Sequence, residues 1–259
     1  MLRLAANLTT LFTELPMIDR FAAAAESGFT GVEILYPYDI AASDLARAAT
    51  EAGMEFVSLN CPPPNWSGGE RGFAAEPGRE ARFRTDFDRA LRFAQALRAR
   101  HIHVMSGDAH GDAAFDVMVQ NLRWACARAP HASLTLKPIS PKFRPGYFLS
   151  DFDIAQRVIE AVGSPNLGLQ FDCFQVQHIT GDVQGTWEKF GSLIRHVQIS
   201  GFPEGQEPVD GIIDYGAFLA TLERSRYQGW ISGNYEPSTR TDLSLGWMDR
   251  NQSLPNNSA

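Results

Sequence analysis

Lys137 ends the apolar run ASLTLK (132–137), Asp172 ends LGLQFD (167–172), Gln198 lies in IRHVQI (194–199) and Asn234 in WISGNY (230–235). An ammonium, a carboxylate and two amides thus each stand near the end of a strand-like run. In parallel α/β proteins such positions face the site. A lysine there has three uses. It can neutralise a buried aspartate, hold a developing oxyanion or a substrate carboxylate, or, once desolvated, attack a carbonyl and form an imine. The same positional rule adds Asn7, Glu33, Asn60 and His103. His101 and His196 read as core or bottom-face residues. Cys173 follows Asp172, but no histidine stands where a thiol base is needed, so a cysteine nucleophile is not expected.

The elements that must carry these residues alternate along the chain. Strands are expected over 3–8, 31–35, 55–60, 101–106, 132–137, 167–172, 194–199 and 230–235. Helices are expected over 16–27, 42–52, 80–98, 112–128, 151–162, 183–192 and 214–226. Ser43, Ser150 and Asp214 are the expected helix starts, and Gly28, Gly53 and Gly163 the stops. Eight strands alternating with helices predict a single (β/α)₈ TIM barrel over 1–250, with a polar, frayed tail over 251–259. An open doubly wound sheet is the alternative, and it lacks a G-x-G-x-x-G after the first strand. The segment 61–79 is the longest strand-to-helix connection. Its Trp66 and Arg71 suit a lid that excludes water and grips an anionic or hydroxylated substrate.

Composition narrows the partners. The 259 residues are 44% hydrophobic and carry a net charge of −7, enough apolar content for one large core and the wrong sign for a phosphate-backbone binder. No run nears the ~20 apolar residues of a membrane helix, and the N-terminus lacks a signal-peptide pattern. Three cysteines without C-x-x-C spacing predict free thiols and a cytoplasmic setting. The expected partner is a small-molecule substrate, with no nucleic acid and no membrane; a homo-oligomer is left open.

Larger blocks carry a resemblance: AANLTTLFTELPMIDRFAAAAESGF (5–29), GVEILYPYD (31–39), LNCPPPNWSGGERG (59–72), HVMSGD (103–108), PGYFLSD (145–151), VGSPNLGLQFD (162–172), RHVQISGFPEGQEP (195–208) and GWISGNYEPSTRTDLSLGW (229–247). In this order they resemble the hydroxypyruvate isomerase family, with its 2-oxo-tetronate isomerase branch, among the xylose-isomerase-like TIM barrels. The resemblance implies isomerisation of small hydroxy-carbonyl acids. A divalent metal would hold the substrate oxygens and two glutamates would move the proton. It also implies four metal ligands: a glutamate ending strand five, an aspartate ending strand six, a glutamine in strand seven and a glutamate in strand eight. Asp172 and Gln198 match. The strand-five position is Lys137, before Pro138-Ile139-Ser140, and the strand-eight position is Asn234, before Tyr235. Gln175 stands where the family often has histidine, and Ile212 where it has a glutamate before the last helix.

With a charged lysine, those two positions are about three charge units more positive than the family pattern. At 4–5 Å an ammonium and a dication repel by several kcal/mol even at an effective dielectric near 20. Three readings follow. In the first, a metal-independent enzyme enolises or isomerises a small polar carbonyl acid, or carries out a related lyase or condensation step. Lys137, Asp172 and Glu236 act, and Asn60, Trp66, Arg71, His103, Gln198 and Asn234 bind substrate. In the second, a non-catalytic relative binds a ligand. In the third, a metal isomerase persists, with Asp172 and Gln198 as retained ligands and Glu236, Glu33 or Asp108 replacing the lost acids. No organic cofactor is expected, and Mg²⁺ or Mn²⁺ would bind at most weakly.

Overall fold

A computed structural model describes residues 2–61 and 72–249. Eight parallel strands close in sequential order. They are β1 (Arg3–Asn7), β2 (Gly31–Glu33), β3 (Glu55–Asn60), β4 (His101–His103), β5 (Ser133–Leu136), β6 (Leu167–Asp172), β7 (Ile194–Ile199) and β8 (Trp230–Gly233). The helices are α1 (Arg20–Glu26), α2 (Ala42–Glu51), α3 (Glu80–Leu97), α4 (Gly111–Arg128), α5 (Phe152–Val162), α6 (Cys173–Thr180), α7 (Val183–Phe190) and α8 (Tyr215–Arg224). This is the expected (β/α)₈ barrel. No helix among the described residues is long and apolar enough to cross a membrane.

Strand parity decides what faces inward. In β6, Leu169 and Phe171 point out to the helices, and Phe171 stacks on Phe218 and meets Trp187 edge-on. Burying such a ring contributes roughly 1.5–3 kcal/mol. The alternate residues, Gln170 and Asp172, pair in register with His196 and Gln198 of β7. The barrel interior begins with an apolar plug of Ala5, Val57 and Trp230. A Cβ on Gly31 would stand 2.6 Å from the Trp230 ring and 2.7 Å from Val57, so only glycine admits the plug. Above it the interior turns polar, with Glu33, His196, Gln170 and Gln198 all buried.

A crevice of about 1380 Å³ opens at the N-terminal end of the barrel, beside Arg3, Arg98, Arg100, Arg128 and Arg195. Helix C-termini converge there, so these cations offset the negative helix ends. Arg3 and Arg100 share Glu55, and Arg128 pairs with Asp88.

Several boundaries differ from the sequence expectations, for local reasons. β5 stops at Leu136, so Lys137 is the first loop residue rather than the last strand residue; Pro138 has no N–H to continue a ladder. β4 stops at His103, because Ser106 instead bridges antiparallel to Gly72. β2 and β8 also end early, leaving Asn234 just beyond β8. α1 starts at Arg20, after turns over 16–19. Ser43 lies inside α2, whose N-cap is Ala41, and Asp151 rather than Ser150 caps α5 through Ile154 N. Asp214 caps α8 as expected. Gly28, Gly53 and Gly163 all adopt positive φ at helix ends. The helix α6 has no counterpart among the expected elements.

Candidate active site

The mouth of the barrel brings Lys137, Asp172 and Gln198 together. Lys137 Nζ lies 3.3 Å from Asp172 Oδ2 and 3.1 Å from Gln198 Oε1. Only 14% of the lysine side chain and 6% of the aspartate side chain are exposed, so the pair is weakly screened. The other carboxylate oxygen, Asp172 Oδ1, accepts from the backbone N–H groups of Phe174 and Gln175 (3.1 and 3.3 Å). Asp172 therefore caps α6 and holds the lysine at once. Gln175 ties the lysine's loop to this helix, its Oε1 accepting from Ser140 N at 2.9 Å.

Two further polar pairs line the same end. His103 Nδ1 lies 2.9 Å from Asn60 Oδ1, and the Tyr38 hydroxyl donates to the Asn60 carbonyl. Asn7 Nδ2 donates to Asn234 Oδ1 at 2.6 Å. Glu236 is exposed on the loop after β8, where its N–H donates to Gly205 O. Asp108 accepts from Arg144 Nε on Oδ1 and from Arg144 Nη2 on Oδ2 (2.9 and 2.8 Å). Glu33 lies beneath, bound to Gln198 and His196. Trp66 and Arg71, with most of the segment 61–79, lie outside the described residues.

The neighbouring thiols are shielded from solvent. All three cysteines are free and buried. Burial pushes Cys61 and Cys173 well up from the ordinary thiol range, and for Cys173 the Asp172 charge adds to it. Residues that sequence reasoning left out of the site are Gln170, which donates to Gln198 Oε1 at 2.7 Å, and Thr135, whose hydroxyl donates to Gln170 at 3.2 Å. Strand parity was the available signal, since Gln170 shares a face with Asp172.

The donor set does not suit the divalent ion that the resemblance implies. The two oxygens that would ligate it, Asp172 Oδ2 and Gln198 Oε1, are the two that receive the lysine ammonium. Among the described residues no group of three or more His, Cys, Asp or Glu side chains is placed to hold a metal.

The double duty of Asp172 is separable. Asp172→Asn keeps Oδ1 and so keeps α6 capped, but it turns an amide NH₂ toward Nζ. We expect helical content to be retained, and a stability loss of about 1–3 kcal/mol in urea titration. Loss of α6 protection in hydrogen exchange would show that capping and lysine pairing cannot be divided this way.

The closed eight-stranded parallel barrel, with its polar upper interior and polar residues at the strand ends, is that of a TIM barrel. A family profile described as xylose isomerase-like TIM barrel matches residues 21–251. The 2-oxo-tetronate isomerase of Cupriavidus necator is 39% identical over 252 residues, covering 95% of this chain and 97% of that one. The hydroxypyruvate isomerase of Escherichia coli K12 is 35% identical over 255 residues, covering 96% and 99%. A crystal structure from Brucella melitensis described as AP endonuclease, family 2, superposes with TM-score 0.92 at 38% identity, covering 96% and 98%. The chain belongs to the hydroxypyruvate isomerase and 2-oxo-tetronate isomerase family of xylose-isomerase-like TIM barrels.

Proposed function

We propose that this protein is an isomerase-type enzyme that enolises a small polar 2-oxo or hydroxy acid, with the Lys137 ammonium standing where its family would hold a metal ion. The single observation that carries the reading is Nζ seated on both Asp172 Oδ2 and Gln198 Oε1. Removing a proton next to a carbonyl leaves negative charge on the carbonyl oxygen. A fixed, poorly solvated N–H donor lowers the barrier by stabilising that charge as it forms. Asp172 faces the same space as Nζ and is the acceptor for the carbon proton. Glu236, at the rim, is the second carboxylate available for its return. The net change moves one hydrogen from carbon to carbon and one from oxygen to oxygen, so no oxidant is needed. Asn60, His103 and Asn234 supply hydrogen bonds for substrate hydroxyls, and Arg71 and Trp66 complete the proposed set of substrate-binding residues.

The relatives supply the first substrates to try, hydroxypyruvate and a 2-oxo-tetronate. Exhaustive chelation is expected to change turnover by less than about twofold, and added Mn²⁺ to restore nothing further. Activity that vanishes on chelation and returns with Mn²⁺ would reject the proposal. Borohydride added during turnover is expected to leave Lys137 unmodified. A reduced adduct at Lys137 would replace electrostatic catalysis with an imine route.

A further inference from the structure

Glu33 and His196 lie fully buried one layer below Lys137, and the chemistry above uses neither. Their hydrogen bonds have a direction. A carboxylate can only accept. Glu33 Oε1 accepts from Gln198 Nε2 at 2.6 Å, and Oε2 lies 2.8 Å from His196 Nε2. His196 Nδ1 is buried with no partner among the described residues, so the ring proton is assigned to Nε2, which has an acceptor. Because Glu33 takes the NH₂ end of Gln198, the amide must turn its oxygen the other way. There Oε1 accepts from Gln170 Nε2 at 2.7 Å and from Lys137 Nζ at 3.1 Å. Gln170 is held in the matching sense, since its own oxygen accepts from Thr135. A flipped Gln198 would set its NH₂ against an ammonium and a second NH₂. It would also set its oxygen against a carboxylate. Each such mismatch leaves a buried polar group desolvated and unpaired, which is the costly way to lose a hydrogen bond.

The geometry points to Glu33 as the positioning residue of the site: by accepting only, it fixes the orientation of the Gln198 amide and thereby the place of the Lys137 ammonium. The polarity stands on the hydrogen bonds alone, while its consequence for turnover rests on the function proposed above.

An exchange of the two side chains tests it. In Glu33→Gln, His196 Nε2–H claims the new amide's oxygen and its NH₂ then opposes that of Gln198. In Gln198→Glu, two carboxylates meet. Each single variant is expected to lose at least about tenfold in kcat with KM changed less than about threefold, and to melt below the wild type. In the double variant, Glu33→Gln with Gln198→Glu, the direction is restored. The amide now at position 33 accepts from His196 and donates to the carboxylate now at position 198, whose other oxygen accepts from Lys137 and Gln170. The double variant should recover kcat to within about threefold of wild type and melt above both singles. A residue that merely fills space gives no such recovery, so a double variant as impaired as the worse single overturns the inference. If the wild type shows no turnover, the proposed function falls, and the melting temperatures of the three variants still decide the polarity. If a single variant does not fold, exchange of the wild-type Gln198 side-chain NH₂ protons decides instead. Slow exchange supports a buried NH₂ held by Glu33, and exchange at the rate of an exposed glutamine overturns it.

Discussion

Lys137→Met is expected to lower kcat by roughly 100- to 1000-fold, the range measured when one preorganised donor to a developing oxyanion is removed. Methionine keeps the length and packing of the lysine stem while deleting the charge. KM should move far less, because the ammonium is asked to act on charge that appears in the transition state. The variant should also be less stable, but modestly. Breaking a fully buried ion pair costs about 3–5 kcal/mol, because the remaining charge loses its partner. Here Asp172 keeps two backbone N–H donors and Gln198 keeps Gln170, and the pair sits at the mouth with 14% and 6% of its side chains exposed. A loss of about 1–3 kcal/mol in chemical denaturation is therefore expected. A variant with wild-type kcat would leave Lys137 a filler of the Asp172 site and remove it from the chemistry. The combination of a large kinetic effect and a small stability effect separates these roles.

The barrel and its central pair were legible in the sequence because both follow from short-range rules. Alternating apolar runs and helices fix the topology, and residues at strand ends fix which side chains converge. Lys137 and Asp172 are 35 positions apart, yet adjacent strands place their charged atoms 3.3 Å apart. Local overrides were less legible. A carboxylate at a strand end reads first as chemistry, which hides the ordinary role of Asp172 as an N-cap, and with it the helix α6 that it starts. That helix buries only Cys173 and Val176 and so shows a weak apolar stripe. Pro138 explains why Lys137 leaves the strand. The polar column beneath the site was hidden for a different reason. Glu33, His196, Gln170 and Gln198 come from three strands, and the bulges that set their register, between Val32 and Glu33 and between Leu169 and Gln170, have no signature in one sequence. The direction of their hydrogen bonds exists only once all four are placed.

Giving the site back its two acids, Lys137→Glu with Asn234→Glu, should reverse the present electrostatics. The substitutions change the charge at these positions by −2 and −1, leaving Asp172 and two glutamates around the Gln198 oxygen. Without metal the like charges repel at close range, so the apo double variant should melt below the wild type. With Mn²⁺ the oxygen set becomes one that suits a hard cation, and binding to the folded state alone stabilises it by RT ln(1 + [L]/Kd), about 2.7 kcal/mol at 100 times Kd. The expected readout is a Mn²⁺-dependent rise in melting temperature with an immobilised Mn²⁺ spectrum, both absent from the wild type under the same conditions. Asn234, just beyond β8, is already held by Asn7 at 2.6 Å, so a glutamate there starts from the barrel mouth. Equal Mn²⁺ binding by the wild type would mean that the ammonium yields its two oxygens to the ion. Lys137 would then be a gate that opens for metal, and catalysis by the ammonium would have to be abandoned.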